Sequence, residues 1–428
     1  MHGWLAWPTH PRSGPDRYAM NLLSANNIRW IEFEIGMRAA FDVMSYVTKR
    51  LLGFPQTPLS QAAIRSITVC QGSEFPAITP YFWEEHLPRV LGSATYDAVR
   101  VINEDLNRKT FRFEPVVVHW LRDATLLDGS VYSRSYRHEL RPVGRRSRIG
   151  FDTSGLVGEV DRASLVSTCA GSTWWGHWIE DEVPLQMLAE KFAPPVAFSR
   201  KIYRDESVYR SVFGIAEPER FNVAVFRELL FIDEFAQNPN KTKRYRLLRS
   251  RLAQYPAGHD RVYLRRGTTG VRRVLVNESE VVGRLESLGF KTVNVSTSSA
   301  RAIISVCRGA SVVVSVEGSH LAPLLYLMQD FATMVILNPP YRVHTTVADI
   351  GVFCGLSSGM FVCEPEGDSR TDFRADPDEL ARFVDDAVAF GRDNEPRLIS
   401  FLASVMRLDT SALVIGETST GSGIDFEF

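Results

Sequence analysis

An arginine-rich segment in the second half of the chain is the first candidate for chemistry. Residues 263–273 have the sequence YLRRGTTGVRR, in which two arginine pairs flank a Gly-Thr-Thr-Gly loop. A guanidinium group can donate two parallel hydrogen bonds to the oxygens of a phosphate, and glycines let the backbone approach a ligand closely. Arg265, Arg266 and Arg273 are therefore predicted to bind a diphosphate, with solvated arginines around a tight turn as the alternative. The glycine patterns of NAD-binding and P-loop proteins are absent, so neither function is expected.

A second cluster follows an apolar run further along the chain. Residues 311–321, SVVVSVEGSHL, predict a buried strand that ends at Glu317 and turns through Gly318 into a helix capped by Ser319. The amides at the start of a helix attract anions, so Gly318, Ser319 and His320 are predicted to contact a nucleotide phosphate. An ordinary capped helix would explain Ser319, but it would not require the ionisable residues Glu317 and His320 around it.

The third cluster, residues 174–184 with the sequence WWGHWIEDEVP, is aromatic and acidic. On a helix, His177 and Asp181 are four residues apart and share a face, so they can cooperate in proton transfer. Trp175 and Trp178 offer flat faces on which an acceptor sugar can stack. The alternatives are acids that stabilise the first turn of a helix and a histidine with a structural role.

The elements of the second half are expected to bring these clusters together. Strand-like segments at 260–264, 291–295, 311–316 and 333–337 alternate with helix-like segments at 277–288, 299–308 and 320–329. This alternation predicts a parallel sheet with right-handed crossovers, followed by helices at 376–390 and 395–406. Asn277 and Glu280 are expected to form a capping box. Ligands bind at the carboxyl ends of the strands in such sheets, where the first two clusters fall.

The first half has a less regular pattern. Strands are predicted at 115–120 and 130–132 around an Asp-Gly turn, then a helix at 177–192 and a strand at 228–232. Residues 28–52 predict a helix docked on its own core, with a membrane surface or a partner subunit as the alternative.

The predicted organisation has three parts. Residues 1–110 form a helical extension packed on the first domain, 111–245 the first domain, and 246–428 a second domain with closing helices. We place the border between the two domains within 237–258, where a basic helix ends in a Pro-Ala-Gly turn.

Composition narrows the class of protein. The 428 residues are 45% hydrophobic and 23% charged, which is typical of a globular chain of two domains. A net charge of −1 argues against a duplex-DNA binder, so no nucleic-acid partner is expected. No apolar run approaches the roughly 20 residues of a membrane helix, and no signal-peptide pattern is present. Five cysteines without C-x-x-C spacing argue against a disulfide framework or a zinc site and favour the cytoplasm.

Taken in order, the three clusters resemble glycosyltransferase family 61. The segment from Trp175 to Trp178, followed by Asp181 and Pro184, is similar to the family's aromatic-Gly-His-aromatic segment with its carboxylate and proline. The remaining similar positions are the strand-end arginines Arg266 and Arg273, the pair Asn277-Glu278, and the turn Glu317-Gly318-Ser319-His320-Leu321. The resemblance spans about residues 117–339.

The resemblance implies an α/β protein of the GT-B type: two Rossmann-like domains facing across a cleft, with extra N-terminal helices. It implies that residues 111–245 form the acceptor-side domain and residues 246–428 the nucleotide-sugar-binding domain. It also implies an inverting transfer of a sugar from a nucleotide-sugar donor to a hydroxyl acceptor, usually without a catalytic metal. No metal cofactor is therefore expected. Asp181 is the expected general base, assisted by His177, with Glu317 as the runner-up. Bacterial forms with the Glu-Gly-Ser turn are associated with capsule, which implies a growing surface polysaccharide or glycolipid as acceptor.

Two other functions remain open. One is a non-catalytic glycan-binding or scaffold subunit in which the tryptophans only hold a glycan. The other is a nucleotide-sugar epimerase or hydrolase of the same fold. Peripheral contact with the inner face of a membrane is a further expectation, through the basic stretches 141–148 and 241–251, with solvated surfaces as the alternative. A homo-oligomer is also left open.

Overall fold

The strands of the computed structural model form two large sheets and two small ones. The structure describes residues 25–93, 97–141, 157–268 and 270–407. In chain order the strands are β1 (Arg65–Cys70), β2 (Ser73–Pro76), β3 (Thr110–Phe113), β4 (Val116–Leu127), β5 (Ser130–Ser133), β6 (Tyr136–Glu139), β7 (Val157–Leu165), β8 (Pro195–Phe198), β9 (Glu219–Phe221), β10 (Val223–Asp233), β11 (Arg261–Arg265), β12 (Val274–Leu275), β13 (Lys291–Asn294), β14 (Val312–Val316), β15 (Thr333–Asn338), β16 (Ser357–Val362), β17 (Glu364–Pro365) and β18 (Asp372–Arg374). The α-helices are α1 (Ala25–Leu51), α2 (Leu59–Ala62), α3 (Ala98–Arg100), α4 (Cys169–Thr173), α5 (Trp175–His177), α6 (Val183–Ala189), α7 (Glu206–Phe213), α8 (Pro239–Leu252), α9 (Glu278–Ser287), α10 (Ala300–Cys307), α11 (Leu324–Leu327), α12 (Thr346–Phe353) and α13 (Pro377–Arg407).

The sheet of the second half is parallel, with strand order β13-β11-β14-β15-β16. Its central strands β14 and β15 are buried along their whole length, as expected for strands covered on both faces. The four strands predicted from the sequence are confirmed to within one or two residues; β16 was not predicted. This order is doubly wound, and the chain reverses direction across the sheet between β11 and β14.

The helix predicted at 320–329 is wrong. Ser319–Leu321 form a single 3-10 turn, and α11 covers only Leu324–Leu327. Pro323 between them has no N–H to donate to an earlier carbonyl, so the two segments do not merge into one long helix. Gly318 occupies the N-cap position, and no side chain caps the turn. The row of helical amides expected there is therefore absent from this part of the structure.

The sheet of the first half is mixed. Its main order is β6-β5-β4-β10-β7-β8-β9, and β1 pairs with β4. Strands β7 to β10 run parallel, whereas β4 is antiparallel to β10, to β5 and to β1. The tight turn at Asp128 and Gly129 explains the antiparallel hairpin, because both residues have positive φ. This sheet therefore differs from the parallel arrangement expected for a Rossmann-like half.

The segment before β3 contributes more than helices. Strand β1 joins the first sheet, and β2 pairs with β3. The predicted docking of the first long helix is confirmed: Ile35, Ala39, Val43 and Tyr46 of α1 pack against that sheet. Within the described ranges, no helix combines the length and the apolar character needed to cross a bilayer.

One apolar core joins the two halves. Helix α8 contributes the fully buried Tyr245 and Leu248 to it, together with Trp178 from the first half and Tyr326 from the second. The ring of Tyr245 lies 5.9 Å from that of Tyr326. Helix α8 lies within the predicted domain border and packs on both sides of it. The site is positioned by elements on both sides of this core.

Candidate functional site

The reversal point of the second sheet brings two of the predicted clusters together. Leu264 of β11 lies beside Ser315 of β14, so both strands end at the same edge of the sheet. Arg266 follows the first strand directly, and Glu317 follows the second. A crevice at such a reversal point is where open α/β sheets bind their ligands. The first two clusters therefore meet where the sequence predicted.

Three arginines surround the carboxylate of Glu317. Arg273 Nη1 lies 2.7 Å from Glu317 Oε2, and the same nitrogen donates to the Glu317 carbonyl at 2.9 Å. Arg342 Nε approaches the same carboxylate at 3.4 Å, and the charge of Glu317 also acts on buried Arg266. Burial together with the neighbouring charges of Arg266 and Arg342 lowers the pKa of Arg273 to about 10, so it stays protonated at neutral pH. Three guanidinium groups against one carboxylate leave an excess of two positive charges.

Arg265 does not join this group. Its Nε donates to Glu278 at 2.6 Å, and Tyr263 donates to the same carboxylate at 3.0 Å. Arg272 is exposed and bonds to Asp372. Of the arginines predicted to bind a diphosphate, the structure gathers Arg266 and Arg273 around Glu317, while Arg265 is paired elsewhere.

The predicted capping box at the start of α9 is wrong. Asn277 makes no side-chain cap bond. Its amide instead donates to the Ala375 carbonyl at 2.8 Å and its oxygen accepts from the Ala375 N–H at 3.3 Å. The asparagine therefore ties the start of α9 to the segment that precedes α13.

Gly318 and His320 shape the turn after β14. Gly318 has φ +155°, and a Cβ there would lie 3.0 Å from Arg273 Nη1 and 3.2 Å from Arg266 Nε. Ser315 donates its single proton to the Leu264 carbonyl at 2.6 Å, so His320 Nε2 donates to Ser315 Oγ at 2.8 Å. Burial, Arg266 and Arg273 lower the pKa of His320 to about 3. His320 is thus a neutral imidazole that positions the turn, while Ser319 is exposed.

The aromatic and acidic cluster lies on a helix with an inserted π turn. Residues Trp178–Glu182 are π-helical between α5 and α6, and Pro184 lies in the first turn of α6. Pro184 has no N–H, so it cannot donate to the carbonyls of the preceding turn. Two buried tyrosines bond there instead: Tyr326 donates to the Ile179 carbonyl at 2.7 Å and Tyr245 to the Glu180 carbonyl at 2.9 Å. π turns of this kind are frequent at functional sites.

His177 and Asp181 of this helix form a charged chain with Lys241 of α8. His177 Nδ1 donates to Asp181 Oδ2 at 2.8 Å, and the fully buried ammonium of Lys241 donates to Asp181 Oδ1 at 2.5 Å. Burial alone would raise the pKa of Asp181, but Lys241 and His177 outweigh it and lower that pKa. Burial would lower the pKa of His177, but the hydrogen bond and charge of Asp181 raise it.

The exposure of these groups decides their roles. Asp181 is 4% exposed, and both of its oxygens are engaged. The His177 side chain is 28% exposed, and Nε2 is its remaining ring nitrogen. The imidazole is therefore the member of the pair that can reach a substrate, and the carboxylate orients it.

Glu180 is the acid next to Asp181 in sequence, and its pKa shifts in the opposite direction. It is 3% exposed, and its Oε1 has no hydrogen-bond partner among the described residues. Burial and the charge of Asp181 raise the pKa of Glu180 to about 7. His177, Glu180 and Asp181 are the described residues whose side chains could hold a metal ion, with ligand atoms within 4.8 Å of one another. The ammonium of Lys241 already neutralises Asp181 there.

The two halves of the site are in direct contact. Gly176 packs on the turn after β14, and a Cβ at this position would lie 3.2 Å from Ser319 Cβ and 3.3 Å from Ser319 Cα. The absence of a side chain at Gly176 lets the helix of His177 approach the turn of Glu317 this closely. The third cluster therefore lies against the first two.

The tryptophans occupy different environments from those predicted. Trp178 is fully buried, and Trp175 stacks on it at 4.9 Å while also contacting Tyr203 at 5.6 Å. This packing does not fit the predicted acceptor contact of Trp178, because its ring has no open face. Trp174, which is 52% exposed, is the accessible member of the group.

The basic stretches are also placed differently. Residues 142–148 of the predicted basic loop lie outside the described residues. In α8, Lys241, Arg244 and Arg249 are buried, bonding to Asp181, Glu234 and the Leu325 carbonyl respectively. These three cations therefore do not form the membrane-facing surface that the sequence suggested.

Sequence reasoning missed Lys241 and Arg342 as site residues. Lys241 was assigned to a basic surface, and nothing in the local pattern marks it as a partner of Asp181, sixty residues earlier. Arg342 follows a Pro-Pro-Tyr segment after β15, and that position at the end of a parallel strand could have identified it.

Comparison with known proteins gives one positive result. No curated protein matches this chain. The family model described as Glycosyltransferase 61 matches residues 175–335. That span begins at Trp175 and ends within β15, so it contains the His177 helix, the arginine loop and the Glu317 turn. The match supports the resemblance of this part of the chain to glycosyltransferase family 61.

Proposed function

We propose that this protein is an inverting glycosyltransferase that moves a sugar from a nucleotide-sugar donor to a hydroxyl of a surface polysaccharide or glycolipid. The family match supports glycosyltransferase activity in general. The observation that carries the specific proposal is the contact of Gly176 with Ser319, which joins a proton-accepting pair to an arginine cluster.

The arginine cluster suits the departing diphosphate. Its excess of two positive charges can stabilise the diphosphate, which gains one further negative charge as the sugar leaves. Arg342 is 33% exposed at the side chain, so a ligand can reach it. Each guanidinium group carries a positive charge and can donate two parallel hydrogen bonds to phosphate oxygens. The arginines can therefore replace a divalent metal in this role.

The His177–Asp181 pair suits activation of the acceptor. In the proposed step, His177 Nε2 accepts the proton of the acceptor hydroxyl. The hydroxyl oxygen attacks the anomeric carbon from the face opposite the diphosphate. The bond to the diphosphate breaks, its electron pair leaves with the diphosphate, and the anomeric centre inverts. Asp181 stabilises the imidazolium that forms. Glu317, tied to arginines, is assigned to the donor side.

The overall arrangement proposed is GT-B-like, with the mixed first sheet and the parallel second sheet on either side of the site. The second sheet binds the nucleotide and the first half presents the acceptor. We further propose that the reaction requires no metal, since Lys241 and the arginines supply the positive charge.

The proposal is tested with donors and two matched variants. UDP-, GDP-, CMP- and dTDP-sugars are each added to the wild type, and the melting temperature is measured. One nucleotide class is expected to raise it by mass action. Arg342→Ala should weaken binding of that nucleotide roughly 10-fold or more, because a charge-assisted bond is lost. Arg272→Ala, which removes an exposed arginine bonded to Asp372, should bind it normally.

Turnover provides the second half of the test. His177→Gln should retain nucleotide binding and lose about 10²- to 10⁴-fold in the rate of sugar transfer or donor hydrolysis. Stabilisation by no nucleotide, or full turnover in His177→Gln, would contradict the proposal. A binder that holds glycan without turning over donor would identify the non-catalytic alternative.

A further inference from the structure

Two exposed aromatic side chains flank the imidazole of His177. Trp174 is 52% exposed and its ring centroid lies 5.8 Å from that of His177. Phe235 is 62% exposed and its ring lies 6.1 Å from the same imidazole, tilted by 30°. The two come from segments about sixty positions apart in sequence, so their approach to one histidine is a product of the fold.

The backbone of each of the two residues makes a hydrogen bond. Trp174 ends α4, and its N–H donates to the Ala170 carbonyl at 2.8 Å. Phe235 follows the buried Glu234, which is bonded to Arg244 and Asn238. The Phe235 carbonyl accepts from Lys241 Nζ at 3.4 Å. The exposure of these rings therefore arises on a fixed framework.

We propose that Trp174 and Phe235 form the acceptor subsite, and that the acceptor is a glycan whose terminal sugar ring stacks on one or both aromatic faces. This inference rests on the proposed glycosyltransferase function. A pyranose ring presents an apolar C–H face to an aromatic ring and keeps its hydroxyls at the edge. Stacked beside His177, such a ring can direct one hydroxyl at Nε2.

The surroundings favour a glycan over other acceptors. The polar group next to both rings is the partly exposed imidazole of His177. A polyprenyl chain would need a continuous apolar path here, and this imidazole interrupts it. A serine or threonine side chain would reach the histidine without using either aromatic face. The pair of rings therefore serves a ligand with a flat apolar face and a polar edge.

Binding is measured first, without any donor. The probes are short gluco-, galacto-, manno- and xylo-oligosaccharides, added one at a time while tryptophan fluorescence is recorded. At least one oligosaccharide is expected to bind the wild type. Trp174→Ala and Phe235→Ala should each weaken that binding about 10-fold, whereas Trp174→Phe keeps an aromatic face and should retain most of it. Phe54→Ala, at an equally exposed phenylalanine on another surface, is the matched control and should bind normally.

Turnover separates this inference from the function on which it rests. Both aromatic variants should raise the KM for the oligosaccharide about 10-fold while leaving nucleotide binding unchanged. Absence of binding by every oligosaccharide, or unchanged binding in both alanine variants, overturns the acceptor subsite even where donor hydrolysis proceeds. If oligosaccharide binding depends on Trp174 but the protein never turns over donor, the result supports the subsite and contradicts the proposed glycosyltransferase function.

Discussion

Adjacent carboxylates at residues 180 and 181 show how a single helix gives two acids opposite properties. Asp181 faces Lys241 and His177, which keep it ionised and lower its pKa. Glu180 is buried with no hydrogen-bond partner for Oε1 among the described residues, and its pKa rises to about 7. Environments that separate the pKa values of neighbouring groups are typical of sites that move protons.

The raised pKa of Glu180 makes stability depend on pH. A carboxyl whose folded pKa lies above its unfolded value stabilises the fold at pH below about 4.5, and that contribution is lost as pH rises through about 7. Glu180→Gln removes this loss. At pH 8 the variant should exceed the wild type in free energy of unfolding by up to roughly 3 kcal/mol, and at pH 5 by little. Urea unfolding at both pH values measures the difference.

A matched variant isolates the effect of burial. Glu286→Gln changes an exposed acid on α9 and should behave alike at both pH values. An equal stability change for Glu180→Gln at pH 5 and pH 8 would show that this carboxyl titrates normally.

At the scale of residues, spacing in the sequence predicts contacts between side chains on one helix. It does not predict partners that come from distant segments. The i, i+4 relation of His177 and Asp181 follows from helical geometry, and the structure has that hydrogen bond at 2.8 Å. Lys241 reaches the same carboxylate only because α8 packs against the π-helical turn. Likewise, the burial of Trp178 depends on Tyr203 and Arg210, which no local pattern connects to it. Long-range packing decides these cases.

At the scale of elements, the site depends on how closely a helix approaches a turn. Gly176 lies at the contact, and the nearest atoms include the Ser319 Cα, which belongs to the backbone and cannot rotate away. Gly176→Ala should therefore move the turn by a few tenths of an ångström relative to His177. Because misplacement by about 1 Å can cost 10²-fold in rate, we expect a loss of roughly 10-fold in sugar transfer.

Gly283→Ala is the control for this prediction. Gly283 lies in α9, and a Cβ there would meet nothing within 4 Å. This change should leave transfer intact and stabilise the protein by about 0.5 to 1 kcal/mol, since alanine favours helices. Wild-type transfer by Gly176→Ala would show that the contact is not critical for geometry.

The elements themselves were predictable where the pattern was regular. Buried apolar strands such as β14, separated by amphipathic helices, identify a parallel sheet from sequence alone. The short α11 was not predictable in the same way, because its apolar residues are buried on every side and only Pro323 hints at the break. The first sheet mixes parallel and antiparallel pairs, and the sequence does not specify which strands become neighbours.

At the scale of the whole molecule, the two halves share their interior. The N-terminal strands reach the second half as well: Phe75 of β2 lies 5.9 Å from Phe401 of α13, and Phe111 of β3 lies 5.2 Å from Phe353 of α12. Buried Arg249 of α8 donates to the carbonyls of Leu325 and Met328. A sequence divided at the most polar helix does not reveal that this helix is a central part of the core.

This shared core predicts cooperative unfolding of the described chain. Separating the halves would expose the apolar faces of α8. It would also break the buried contact of Lys241 with Asp181 or those of Arg249 with the Leu325 and Met328 carbonyls, depending on which half keeps the helix. Calorimetry should therefore show one transition. A nucleotide that binds the arginine cluster should raise the whole transition, since ligand bound to one half stabilises everything that unfolds with it. Two transitions, of which the nucleotide moved only one, would show that the halves unfold independently; Arg272→Ala with the same nucleotide serves as the reference for a normal shift.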